Sequence, residues 1–160
     1  MTTVYALGSG SSGNAFAVAC DGAALLVDAG FSAREIGRRA EAAGFDLHAT
    51  CGILLTHEHG DHVSGAARLA ATLRVPIVTA PGTWDRLKPR MRGAEFQPLA
   101  LMGSVTVGRF TVEACPTSHD AAEPVALAIG TAAGHRVSVA YDLGRPTTAV
   151  RFLHHWHSQP

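Results

Sequence analysis

The segment His57-Glu58-His59-Gly60-Asp61-His62 constrains this chain more than any other. It puts three imidazoles and two carboxylates directly after the apolar run Gly52-Ile53-Leu54-Leu55-Thr56. Residues 52–56 read as a strand whose apolar pattern does not alternate, so both its faces are covered. Polar groups this crowded gain nothing from burial, and they cost free energy unless they are paired or bound to a metal. A strand end is a rigid place from which loop side chains can be aimed at one point. His57 and His59, two residues apart, face the same way if the loop stays extended, and Asp61 and His62 then reach toward a second ion. These residue types point to a divalent-metal hydrolase centre. Zinc takes mixed imidazole and carboxylate ligands at roughly 2.0–2.2 Å, and manganese and iron accept the same groups. Glu58, between two ligand candidates, reads as directed away from them into a salt bridge or a supporting hydrogen bond.

Around this loop the chain reads as α/β layers with mixed sheets, a single domain over residues 1–160. A first strand over 3–7 ends in Gly8-Ser9-Gly10-Ser11-Ser12-Gly13-Asn14, a turn that implies unusual backbone angles or a close approach to something. This turn lacks the pattern of a nucleotide-binding loop and leads into another strand. Strands over 15–20 and 24–28 flank Asp21-Gly22 as a hairpin. Residues 32–43 are the clearest helix, with Ser32 and Glu35 in capping-box spacing, an apolar face of Ile36, Ala40 and Ala43, and Gly44 to end it. An alanine-rich helix is expected over 63–73, a strand over 75–80 and a short helical turn over 84–87. The second half is strand-rich, with pieces over 105–107, 110–114, 125–129 and 136–140.

Two later residues have ligand character. His119 follows the piece at 110–114, and Asp142 closes the piece at 136–140, where an acid is costly to bury unless it is paired or metal-bound. Asp28 ends Leu25-Leu26-Val27 in a similar setting and is expected to accept a hydrogen bond from a ligand imidazole.

The motif Thr56-His57-Glu58-His59-Gly60-Asp61-His62 after an apolar strand resembles the signature of the metallo-β-lactamase superfamily. Together with Gly8 to Asn14, Leu26-Val27-Asp28-Ala29-Gly30 and Ser118-His119-Asp120-Ala121-Ala122-Glu123-Pro124, it resembles the WalJ/YycJ-like branch. Members of that branch are described as phosphoribosyl 1,2-cyclic phosphate phosphodiesterase-like or as DNA exonucleases. The resemblance implies an αββα sandwich. It implies two metal ions, zinc first among the candidates: the first held by His57, His59 and His119, the second by Asp61 and His62, with Asp142 bridging. Asp61 or Asp142 would orient the attacking water or take its proton, and Asp120 would orient His119. The expected reaction is hydrolysis of a phosphodiester in DNA, RNA or a small cyclic phosphate. The family also implies one more histidine beyond the bridging aspartate. His154, His155 and His157 come too soon after Asp142 for that, so the chain reads as a member truncated at its C-terminus, with a weakened second ion. The rival readings are a catalytically impaired metal-binding fragment and a hydrolase of another ester or thiolester.

Charge separates the remaining classes. Thirteen basic and thirteen acidic residues balance, so no global field draws the protein to nucleic acid or an anionic membrane. Arg86, Lys88, Arg90 and Arg92 form the one notable basic run, read as a solvated loop with a nucleic-acid backbone contact as its alternative. Cys20, Cys51 and Cys115 are scattered, expected in apolar packing, and suit a reducing compartment. With no signal peptide and no membrane span in prospect, the expected location is the cytoplasm.

Overall fold

The computed structural model describes residues 1–145 and Thr148. A six-stranded sheet is built in chain order from β1 (Thr2–Gly8), β2 (Ala15–Cys20), β3 (Ala23–Val27), β4 (Thr50–Leu54), β5 (Ile77–Thr79) and β6 (Phe96–Pro98). Its first three strands are antiparallel, and from β3 to β6 every neighbour is parallel. A second sheet runs in the order β10 (Arg136–Val139), β9 (Val125–Gly130), β8 (Phe110–Pro116), β7 (Ser104–Val107), antiparallel throughout. Four helices, α1 (Ala33–Ala42), α2 (Gly60–Val63), α3 (Ala66–Leu73) and α4 (Pro81–Leu87), fall in the connections of the first sheet.

Alternation along the strands splits the core in two. Leu25, Val27, Leu54 and Val78 face the second sheet and pack with Phe110, Val112, Leu127 and Ile129. Leu26, Ile53 and Ile77 face the other way, onto Ile36 and Ala40 of α1 and Leu69 and Ala70 of α3. This explains the unbroken apolar run before His57, since both faces of β4 are covered. The result is a mixed α/β sandwich in which a helix layer, the first sheet and the second sheet stack in that order. Among the described residues the outer face of the second sheet carries a small cluster of Cys115, Ala126 and Ala128 with Leu143.

Helix α1 has both its stops. The Ser32 side chain accepts from the Glu35 amide at 3.2 Å, and Gly44, at φ 70°, lets Phe45 N donate back to Ala40 O. The Glu35 carboxylate turns to Arg38 and Arg39, which hold its pKa down at about 2.

Three elements differ from the sequence pattern. The helix expected over 63–73 breaks into α2 and α3 around Ser64 and Gly65. Gly65 N donates to Ala29 O at 2.8 Å, and a Cβ on Gly65 would lie 2.4 Å from Phe31 O, so another loop interrupts the helix. Helix α4 begins three residues early, with Pro81 in its first turn, where a missing N–H costs nothing. Strand β6 had no apolar signature. It is a sheet edge, which tolerates Pro98, and Phe96 stacks on Trp84 with centroids 4.5 Å apart. Among the described residues no helix is long and apolar enough to cross a membrane.

Phe110 is buried at the centre of the inter-sheet core. Phe110→Ala should cost about 3–5 kcal/mol, read as a lower midpoint in urea unfolding of chelator-treated protein. A loss below about 1 kcal/mol would mean that the two sheets do not depend on this contact.

Candidate metal centre

The parallel pair β3/β4 sets two chain ends side by side. Asp28 N donates to Leu54 O and Thr56 N donates to Asp28 Oδ1, both at 2.8 Å. Asp28 is fully buried and sits at φ 56°, a left-handed conformation that a short polar side chain tolerates. Its Oδ2 accepts from Thr56 Oγ1 at 2.8 Å, from His62 Nδ1 at 2.7 Å and from the Tyr141 hydroxyl. A carboxylate only accepts, so His62 carries its proton on Nδ1 and turns Nε2 outward. Thr56 gives its hydroxyl proton to Asp28, so its oxygen accepts from His57 Nδ1 at 3.0 Å. His57 thereby also presents Nε2. One buried acid sets both imidazoles in the form that binds a cation.

Those outward nitrogens meet others. The ligand atoms of His57, His59 and His119 lie within 4.8 Å of one another, and His119 Nε2 is 3.2 Å from His59 Nδ1. A second group joins His57, His62 and Asp142. Asp142 Oδ2 is 2.8 Å from His62 Nε2 and 3.8 Å from His57 Nε2, and Asp61 Oδ2 is 3.5 Å from His62 Nε2. Asp142, like Asp28, has positive φ, at 53°. Its side chain is 41% exposed, so the cluster opens to solvent on that side.

The donor set fits divalent cations. His57 Nε2 is buried with no hydrogen-bond partner, a costly state for a polar atom unless a cation takes the lone pair. Burial, together with the charge of His62, pushes the His57 pKa down to about 4, so the ring stays neutral near pH 7. Burial also disfavours charge on His62. The Asp28 hydrogen bond and the charges of Asp28, Asp61 and Asp142 outweigh it and raise its pKa. Burial and the Asp28 charge raise the Tyr141 pKa, which keeps that hydroxyl a donor.

Backbone contacts lock the ligand loop in place. Asn14 N donates to Asp61 O at 2.8 Å, Gly30 N to Asn14 O at 2.9 Å and Ala29 N to His62 O at 2.7 Å. The Asn14 amide closes its own turn on Gly10 and lies 3.2 Å from His62 Nε2. A Cβ on Gly30 would stand 1.8 Å from Asp61 O, so only glycine allows this approach. The glycine- and serine-rich turn thus approaches the ligand segment itself.

Of the residues expected from sequence, the structure brings together His57, His59, Asp61, His62, His119 and Asp142, with Asp28 beneath them. Asp120 is not positioned to orient His119. The chain turns there, with Ala121 N donating to His119 O, and Asp120 is left exposed without a hydrogen bond to the ring. Glu58 points away from the imidazoles, and its Oε1 accepts from Ala122 N at 2.7 Å. His154, His155 and His157 lie outside the described residues. Asn14, Thr56 and Tyr141 carry site contacts that pattern reading did not assign. The turn composition marked Asn14's neighbourhood, while Tyr141, stacked on His62 at 5.3 Å, had no signal beyond adjacency to Asp142.

Comparison with known proteins places the chain in a family. The family model described as Metallo-beta-lactamase superfamily matches residues 8–145. Exodeoxyribonuclease YycJ of Bacillus anthracis is 36% identical over 122 residues, covering 74% of this chain and 46% of that protein. Exodeoxyribonuclease WalJ of Streptococcus pneumoniae is 33% identical over 130 residues, with the same two coverages. The chain therefore spans about half the length of the curated relatives it matches. Among solved structures, a metallo-beta-lactamase with a HARLDQ motif from Cronobacter sakazakii superposes with a TM-score of 0.69. Its identity is 20%, over 86% of this chain and 55% of that one, which is a likeness of fold.

Asp28→Asn preserves size but replaces one accepting oxygen with a donor. It should lower zinc affinity about 10–100-fold, measured by competition with a chromophoric chelator. Unchanged affinity would show that the tautomers are set elsewhere.

Proposed function

The chain belongs to the metallo-beta-lactamase superfamily, and we propose that it forms the metal centre of a phosphodiesterase acting on DNA. The observation that carries this reading is the buried Nε2 of His57, without a hydrogen-bond partner, inside a cluster of three imidazoles. His57, His59 and His119 would hold the first ion. Asp61 and His62 would hold the second, and Asp142 would be shared between the two. Zinc suits the donors best, and manganese or iron would use the same atoms. When bound, such ions acidify a water and neutralise charge on phosphoryl oxygens.

The chain's own residues do the rest. Asp61 and Asp142 sit at the open side of the cluster, where one or the other would orient the attacking water and accept its proton. Its oxygen then bonds to phosphorus as the bond to the leaving oxygen breaks. Asp28, Thr56 and Tyr141 keep the imidazoles aimed throughout, so little reorganisation is needed.

A nucleic-acid substrate, rather than a small cyclic phosphate, is supported by the relatives named exodeoxyribonucleases and by an exposed basic strip. Lys88 pairs with Asp85 at 2.9 Å, whereas Arg86, Arg90 and Arg92 form no ion pair among the described residues. Arg90 lines a cleft of about 250 Å³ with Gly60 and Ser64, directly beside the ligand loop. The three cysteines are free, which suits a cytoplasmic location.

Elemental analysis of the purified chain should find at least one divalent ion, absent from a His57→Ala/His59→Ala variant, and that ion should be required for cleavage of a DNA oligonucleotide. Ion content equal in the two proteins would refute the centre. On metal-free protein, Arg90→Glu/Arg92→Glu should flatten the salt dependence of DNA binding, reducing the slope of log K against log salt by about 1–2. An unchanged slope would remove the strip from the substrate path and favour a small cyclic phosphodiester.

A further inference from the structure

His119 reaches the cluster on the loop 117–124, between β8 and β9, which has no regular structure of its own. Its base is closed by Thr117 N donating to Pro124 O and by Val125 N donating to Thr56 O, both at 3.0 Å. An isolated bridge joins Ser118 to Gly144 and Arg145, and two carboxylates brace the far side of the loop. Glu58 Oε1 accepts from Ala122 N at 2.7 Å, and Glu123 Oε2 accepts from Gly82 N at 2.6 Å. The buried Thr83 hydroxyl adds a bond to Glu123 O at 3.1 Å. A Cβ on Gly82 would meet both Cβ and Oε2 of Glu123 at 2.9 Å, so the bare backbone of Gly82 is what lets this strut close.

We propose that Glu58 and Glu123 are positioning residues that set His119 for the first ion, in the role that the family resemblance implies for Asp120. Glu58 lies between His57 and His59, so its bond to Ala122 ties the segment carrying two imidazoles to the loop carrying the third. The bond is charge-assisted, and the stronger for it. Glu58 Oε2 is buried without a hydrogen-bond partner, so Glu58 grips the loop through Oε1 alone. Glu123 anchors the opposite flank to α4 and opposes rotation about the Glu58 contact. The exposed Asp120 does neither.

This inference rests on the reading of His57, His59 and His119 as metal ligands, and cobalt(II) titration of the full chain tests the two separately. Affinity is read from the titration, and ligand geometry from the visible absorption bands. Glu58→Ala should weaken cobalt binding about 10–100-fold and change the bands. Glu58→Gln, which keeps an acceptor for Ala122 N–H, should restore both. Glu123→Ala should weaken binding through the other strut, and Asp120→Ala should leave it unchanged. Circular dichroism of the metal-free variants checks that they fold, and should Glu58→Ala not fold, Glu123→Ala carries the same test. Unaltered affinity and bands in Glu58→Ala and Glu123→Ala, or a Glu58→Gln as weak as the alanine variant, would overturn the strut. Cobalt bound equally by the unsubstituted protein and by His57→Ala/His59→Ala would overturn the metal reading, and the strut with it.

Discussion

The site depends on a fully buried carboxylate at the end of β3. A charge removed from water costs several kcal/mol unless it is compensated, and Asp28 is compensated by four donors from three places in the chain: the amide and hydroxyl of Thr56, the His62 ring and the Tyr141 hydroxyl. Each of those donors is oriented in return. The imidazoles of His57 and His62 are therefore not free to choose a tautomer, and the cluster is preorganised by hydrogen bonds formed on folding.

The sandwich makes that arrangement reachable. Parallel pairing of β3 with β4 brings Asp28 beside Thr56. The amide of Val125, donating to Thr56, ties the start of β9 to the same point, and an isolated bridge between Ser118 and Gly144 draws the His119 and Asp142 loops together. Residues separated by more than a hundred positions meet because both sheets end on the same side. The strain is local as well: Asp28 and Asp142, two of the three acids that meet at His62, both adopt left-handed backbone. Such conformations persist where the surroundings over-determine them.

Much of this was legible in the chain. The crowded hexapeptide had no explanation as packing. The strand before it was apolar on both faces because a helix layer and a second sheet do cover it. Helix α1 announced its N-cap, its stop and the Ile36 and Ala40 part of its face, while Ala43 is exposed beyond its end. What was not legible came from contacts between distant segments. The break at Gly65 comes from the backbone of Phe31, and β6 exists because β5 supplies a pairing partner. Asp120 adjoins His119 in sequence, yet a tight turn faces it to solvent, while Glu58 reaches that loop from sixty-four positions away.

The sequence by itself determined the chemistry available: which side chains could hold a cation, that they follow a strand, and that the strand lies inside layers. Those are properties of residue type and short-range periodicity, and they do not depend on what lies across the fold. Tertiary structure alone decided which nitrogen of each imidazole faces the cluster, which acid is buried as the common acceptor, and which carboxylates brace His119. A hydrogen bond is set by distance and direction within a few tenths of an ångström, and only the packed sheets bring separate segments that close.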